Sequence, residues 1–320
     1  MKTTDSMGLV TCIQAHDAPE ALSLGQSLRL NSPATRAVCI VDGELPPAAR
    51  AALLECYEEV YPLRSEHKGM GWQVKQTMVQ YTPFEKSLFL DSDCLVLKDL
   101  TPVLEMADPQ PICFTTKVEP VQETGGALYA GISLSYLLQR FQIDWWPQIL
   151  GGGHFFFLAT PEAHRIFERA LYWRDPDLIR EFGWTDRTRI APDETTLQIA
   201  LVEAGLNRKC AIPGFPLMYW TPWESGWPDV FRQRISHINP ATGRRQWDTE
   251  HFVAHFGGDG GHFVFLREQW RLKWFGRAGS GKASHLAARL TKPLFHAAAY
   301  LRVKLPHAWN RVKRRFGVEC

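Results

Sequence analysis

Two carboxylates separated by one residue, Asp91 and Asp93, close the segment Ser87-Leu88-Phe89-Leu90-Asp91-Ser92-Asp93, where an apolar run suited to a buried strand leads straight into the acids. Positions i and i+2 of a strand point to the same side, so extended backbone turns both carboxylates toward one ligand. Oxygen donors of this kind suit a hard divalent cation such as Mg²⁺ or Mn²⁺, and ligands of open α/β sheets sit at the carboxyl ends of strands. The competing reading has one aspartate capping the next helix and the other solvated. Three other places offer chemistry. Gly151-Gly152-Gly153 precede His154 and an aromatic run, and side-chain-free backbone lets a ligand approach closely. Asp193-Glu194 follow Pro192 at a helix start, and His255 lies four residues after His251 in another strand-like stretch.

The elements that must position these residues alternate. Leu9 to Gln14, Arg36 to Asp42 and Glu59 to Leu63 read as strands; Ala21 to Leu30 and a Pro46-Pro47 start running through Leu53, Leu54 and Tyr57 read as helices. That β-α-β-α-β order predicts a doubly wound, mostly parallel α/β sheet. Gly69-Met70-Gly71 break the chain before a helix over Trp72 to Tyr81, which carries Lys75 and leads into the acidic strand. Downstream, a strand is expected at Ile112 to Thr115 and at the aromatic run. Thr160-Pro161 open a helix to about Trp173 as N-cap and first residue, and Pro192-Asp193-Glu194 open another to Gly205. Tyr219 to Trp227 reads as a loop, because Pro and Gly interrupt it. No Gly-x-Gly-x-x-Gly and no Gly-x-x-x-x-Gly-Lys-Ser/Thr follows the first strand, so a nucleotide, if bound, is held differently.

Composition narrows the class. The 320 residues, 45% hydrophobic and 22% charged, are those of an ordinary globular protein, and no apolar run is long enough to span a bilayer. The amino-terminal apolar stretch is too short for a secretory signal, so a cytoplasmic location is expected. Seven scattered cysteines without a Cys-x-x-Cys pair read as reduced core residues. Charge is uneven: from Lys282 to Cys320 nine Lys and Arg stand against Glu319, leaving a mildly acidic body.

Several segments together carry a resemblance. Ala21-Leu22-Ser23-Leu24-Gly25-Gln26-Ser27-Leu28, Lys75 in VKQTMVQY, SLFLDSDCLVLKDL, Gly152-Gly153, Asp193-Glu194, and His255-Phe256 with Gly258 follow the order of motifs in the glycogenin and lipopolysaccharide galactosyltransferase group. The chain from Leu9 to about Phe263 is similar to these retaining glycosyltransferases of the GT-A type. The resemblance implies a nucleotide-sugar donor, a UDP-sugar above all, with Mn²⁺ (or Mg²⁺) held by Asp91, Asp93 and His255. It also implies donor contacts from Lys75, Gly152, Gly153 and Gly258, the lysine on the diphosphate, and sugar contacts from Asp193 and His154 at the reacting centre. A divalent metal and a lysine stabilise the charge that develops on the leaving diphosphate. Each residue has a plainer reading: a satisfied core histidine for His255 or His154, a helix N-cap for Asp193, a solvated residue for Lys75. Trp145-Trp146 and Trp220, Trp223 and Trp227 offer flat faces to an acceptor sugar or pack in the core.

Two departures stand out. Gly261 occupies the place of a lysine that contacts the diphosphate in the group, leaving His262, Arg267 or Lys282 as substitutes; Gly151-Gly152 replace an Asn-Ser ahead of the later strand, and Glu194 stands where the group often has Gln. The expected organisation is a catalytic GT-A domain over residues 1–265 and a basic amphipathic helical extension over 266–320. Leu294, Ala298, Leu301 and Leu305, then Trp309, Val312 and Phe316, share helical faces beside Arg311, Lys313, Arg314 and Arg315. Such a tail suits the anionic inner face of a membrane, where a glycan or glycolipid acceptor would lie; nucleic acid is not expected, since no base-stacking module accompanies the charge. The competing functions are a non-catalytic glycan-binding or scaffolding protein on the same fold and a sugar nucleotidylyltransferase.

Overall fold

The computed structural model describes residues 6–106, 110–114, 134–144, 146, 154–182, 192–210, 212, 215–220, 227–239, 242–256, 263–275, 286 and 290. In chain order the elements are β1 (Met7–Gln14), α1 (Ala18–Asn31), β2 (Arg36–Asp42), α2 (Pro47–Leu54), β3 (Glu59–Pro62), a 3₁₀ helix (Gly71–Gln80), β4 (Lys86–Leu90), β5 (Cys94–Val96), α3 (Thr101–Met106) and β6 (Ile112–Cys113). There follow α4 (Leu134–Phe141), β7 (His154–Leu158), α5 (Pro161–Tyr172), α6 (Pro176–Ile179), α7 (Asp193–Glu203), β8 (Met218–Trp220), β9 (Trp227–Asp229), β10 (Arg234–Ile238), β11 (Arg245–Asp248), β12 (Val253–His255) and α8 (Phe263–Phe275). The chain is α/β with a mostly parallel central sheet, and it divides into two compact units.

The first unit comprises Met1–Cys12, Leu63–Leu90 and Leu104–Phe215. Here β1 runs parallel to β4, while β7 is antiparallel to both β4 and β6. Four of the five β4 residues are buried, so the strand reads as a continuous apolar run. Phe89 of β4 stacks on Phe155 of β7 at 4.8 Å, and Phe114, Phe157 and Phe167 complete an aromatic cluster. Residue 8 in β1 has to be glycine: a Cβ there would lie 2.3 Å from the Phe84 ring. Thr160 caps α5 as expected, its hydroxyl accepting from the Ala163 N–H, and α5 buries Ala163, Ile166, Phe167 and Ala170. A second cluster joins Leu137, Trp146, Trp173, Ile179, Ile199 and Val202.

The second unit comprises Ile13–Pro62, Asp91–Val103 and Pro216–Cys320. It holds the parallel pair β2 and β3 and two three-stranded sheets, β5-β12-β8 and β11-β10-β9. Its core gathers Leu95, Leu97, Val230, Ile235, Ala254, Phe256, Val264, Phe265 and Leu272. Within α8 the Arg271 guanidinium is buried against Glu268 at 2.7 Å and Asp229 at 3.1 Å, and a Glu268 carboxylate oxygen accepts from the Val230 N–H. Burial works against this charge, but the two carboxylates hold the Arg271 pKa above its ordinary value.

Three readings are corrected. The helix expected over Trp72 to Tyr81 is the 3₁₀ helix Gly71–Gln80: Gln73, Gln76, Thr77, Met78 and Val79 are all buried, so burial on several sides outweighs the single-stripe pattern of an α-helix. α2 stops at Leu54 instead of reaching Tyr57, whose buried hydroxyl donates to the Ala21 carbonyl. The expected loop from Tyr219 to Trp227 begins inside β8 and ends in β9, because pairing with β12 and β10 supplies backbone partners that local composition does not reveal. α8 runs across residue 265, and its Val264, Phe265 and Leu272 share one core. Beyond residue 275, apart from Leu286 and Leu290, the expected extension lies outside the described residues.

Replacing Arg271 with Met leaves Glu268 and Asp229 buried beside an apolar side chain. The substitution is expected to cost about 3 kcal/mol, measured as a shift of the urea midpoint at unchanged slope. A loss below about 0.5 kcal/mol would show that the network does not anchor α8.

Candidate functional site

β4 ends at Leu90, and Asp91-Ser92-Asp93 form the turn that follows. The two carboxylates therefore converge through a turn and not by alternation within a strand, which corrects the geometric reading of Asp-x-Asp. The Cys94 N–H donates to the Asp91 carbonyl at 3.2 Å and closes the turn. β5 then pairs antiparallel with β12, placing Cys94 opposite His255, and the Phe256 N–H donates to the Asp93 carbonyl. The other edge of β5 meets side chains of α1. The Val96 N–H donates to the Ser27 hydroxyl, and the Asn31 amide donates to the carbonyls of Val96 and Val230. A three-residue strand so bracketed leaves little freedom to the residues at its start.

The result is a carboxylate–imidazole cluster within the second unit. His255 Nε2 lies 3.1 Å from Asp93 Oδ1 and 3.8 Å from Asp91 Oδ2. The imidazole is 4% exposed, while Asp93 and Asp91 are 13% and 22% exposed, so the carboxylates form the solvent-facing side. Asp93, Cys94 and His255 present ligand atoms within 4.8 Å of one another. Oxygen and nitrogen donors at this spacing fit a divalent cation, so the residues present are compatible with the metal that the sequence implies. His251, four residues earlier, is occupied elsewhere: its Nδ1 is 2.6 Å from Asp248 Oδ2, and its ring packs on Tyr219. Burial alone would raise the Asp248 pKa, but hydrogen bonds from the Glu250 and His251 N–H groups and the charge of His251 hold it below the usual value.

In the first unit, Lys75 Nζ lies 3.1 Å from Asp193 Oδ2, each side chain 15% exposed. The same ammonium sits 5.9 Å from the Phe89 ring centre. Gln76, next to Lys75, donates to the Asp193 carbonyl and to the Thr196 hydroxyl, joining the 3₁₀ helix to the start of α7. Asp193 is the first residue of α7 and Pro192 its N-cap, so the N-cap reading of Asp193 is corrected. A proline at the cap has no hydroxyl or carboxylate to offer, and Asp193 turns its carboxylate to Lys75. His154 opens β7 opposite Leu90 and is 6% exposed.

Other expected residues resolve differently. Gly152, Gly153, Gly258, Gly261, His262, Lys282, Trp145 and Trp223 lie outside the described residues. Trp146 is core, 2% exposed, with its indole N–H on Gln198. Arg267 donates to Glu268 and to the Pro228 carbonyl, beside Trp227, and so braces α8. Sequence reasoning missed Cys94 and Gln76. The Cys94 thiol carried a signal only through its position next to Asp93; Gln76 carried none, because its partners lie more than a hundred residues away.

Uncoupling the ion pair tests its strength. A double-mutant cycle of Lys75→Met and Asp193→Asn is expected to yield a coupling of roughly 1 kcal/mol, since both groups are mostly buried. Additive single effects would show that the pair is no more than a crossing of two solvated side chains.

No family model matches the sequence, and no curated protein matches it. Solved structures do match. LgtC, a galactosyltransferase in complex with donor and acceptor sugar analogues, aligns over 82% of this chain and 95% of its own, with 16% identity and a TM-score of 0.50. The apo WbbM bifunctional glycosyltransferase aligns over 83% of this chain at 11% identity and a TM-score of 0.50. This chain spans only half the length of WbbM. Together with the sheet order and the Asp-x-Asp turn after β4, the likeness shows that the chain has the GT-A glycosyltransferase fold.

Proposed function

We propose that the protein is a glycosyltransferase that moves a sugar from a nucleotide sugar, a UDP-sugar, to a glycan or glycolipid acceptor with the help of a divalent cation, Mn²⁺ or Mg²⁺. The observation that carries this reading is the convergence of Asp91, Asp93 and His255 at the end of an acidic turn, on a GT-A fold. A bound cation supplies a Lewis acid for the diphosphate leaving group. The three side chains would hold it, with the partly exposed carboxylates turned to the ligand and the buried imidazole fixing the position from behind.

In the first unit, Lys75 is the group proposed for the diphosphate. Its ion pair with Asp193 orients the ammonium until a phosphate oxygen competes for it. Asp193 and His154 are proposed for sugar hydroxyls, and the outcome is proposed to be retention, as in the group that the sequence resembles. Gly152, Gly153 and Gly258 are proposed to let backbone approach the donor. No described helix is long and apolar enough to cross a membrane. The basic stretch after Lys282 is proposed to rest on an anionic membrane surface on the cytoplasmic side, where a lipid-linked acceptor would be met.

Purified protein with Mn²⁺ is expected to hydrolyse or transfer from a UDP-sugar, and Asp93→Ala is expected to lower that rate by a factor of about 10² or more while the fold is retained. A thermal-shift screen of UDP-sugars with and without Mn²⁺ identifies the donor. Absence of binding by every nucleotide sugar in the presence of Mn²⁺ would overturn the enzyme reading.

A further inference from the structure

Cys94 is the first residue of β5, fully buried, and it lies directly opposite His255 across the antiparallel pair. Directly opposed residues of antiparallel strands share a face, so the thiol and the imidazole stand on the same side. Asp93 precedes Cys94 in the closed turn, and its carboxylate, the Cys94 sulfur and a His255 ring nitrogen all lie within 4.8 Å of one another. Three donor types, oxygen, nitrogen and sulfur, therefore meet at one point of the second unit. Metal bonds of about 2.0–2.3 Å need donors somewhat closer than that limit, a change within reach of side-chain rotation.

We infer that Cys94 is a metal ligand that adds a sulfur donor to Asp93 and His255, so that the centre takes thiophilic divalent cations such as Co²⁺, Zn²⁺ and Cd²⁺ as well as Mn²⁺ and Mg²⁺. The inference rests on the metal-site reading proposed above and adds to it a sulfur donor and the softer cations that such a donor admits. Carboxylates and water alone suit Mg²⁺ and Mn²⁺; a thiolate beside an imidazole shifts selectivity to softer ions. On coordination the S–H bond is exchanged for a sulfur–metal bond, and the proton leaves to solvent. Seating the thiol in a fully buried β5 shields it from solvent until a cation enters from the carboxylate side, which is the more exposed one.

The test uses the full chain, titrated with Co²⁺ under reducing conditions, with binding followed by calorimetry and by absorption. One Co²⁺ per chain with a near-ultraviolet sulfur-to-cobalt charge-transfer band is expected for the wild type. In Cys94→Ser, and in Cys94→Ala should the serine variant fold poorly, Co²⁺ still binds but the band is lost. Cd²⁺ affinity then falls roughly tenfold or more, while Mn²⁺ affinity changes by less than about threefold. Co²⁺ bound to the wild type without the band overturns the inference, as does a band that survives in both variants, since another thiol would then be the donor. Failure of Co²⁺ and Mn²⁺ alike to bind is a different result: it removes the metal reading itself and this inference with it.

Discussion

The second unit depends on a short strand that could not stand alone. β5 has three residues, and a strand of that length survives only when both edges and both faces are supplied by the rest of the fold. β12 pairs with one edge, and Ser27 and Asn31 of α1 satisfy the other. Burying these backbone groups without partners would cost more than the strand could recover, so the side-chain amide and hydroxyl of α1 are as necessary as the ladder. Because β5 begins immediately after Asp93 and β12 ends at His255, the same hydrogen bonds that keep the strand in place also set the 3.1 Å spacing between carboxylate and imidazole.

Charge is distributed by the same logic. The buried Glu268, Arg271 and Asp229 network is satisfied on every side and sits in the core beneath α8, where it fixes one packing of that helix. A buried ion pair of this kind is weak evidence for net stability and better evidence for a defined arrangement. The Asp91, Asp93 and His255 cluster is built differently. Two carboxylates lie near solvent with one buried ring behind them, which concentrates negative potential where a cation can reach it. The Lys75 and Asp193 pair in the first unit is a third type, a part-buried contact between two groups that each keep a small exposed fraction.

Much of the fold is legible in the order of residues alone. The strand β2 is bounded to the residue at Arg36–Asp42, and the Thr160-Pro161 start of α5 follows from capping chemistry, because both signals are local: an apolar run in one case, a hydroxyl before a proline in the other. The parallel α/β class follows from alternation of such segments. Signals that depend on distant partners are not legible in this way. The 3₁₀ form of Gly71–Gln80, the strands hidden in the tryptophan-rich stretch, and Pro192 as cap in place of Asp193 all arise from contacts that local periodicity cannot express.

The chain by itself determined which residues carry donors, namely the acids 91 and 93, the histidines, Lys75 and a cysteine after the second acid, because residue type alone decides what a side chain can bind. Only the tertiary structure decided which of them meet. His255 is more than 160 residues from Asp93 in sequence, and the pairing of β12 with β5 brings the two together while sending His251 to Asp248 instead. The tertiary structure also converted Cys94 from a core residue into a neighbour of the cluster, since antiparallel register places opposed residues on one face regardless of their separation along the chain.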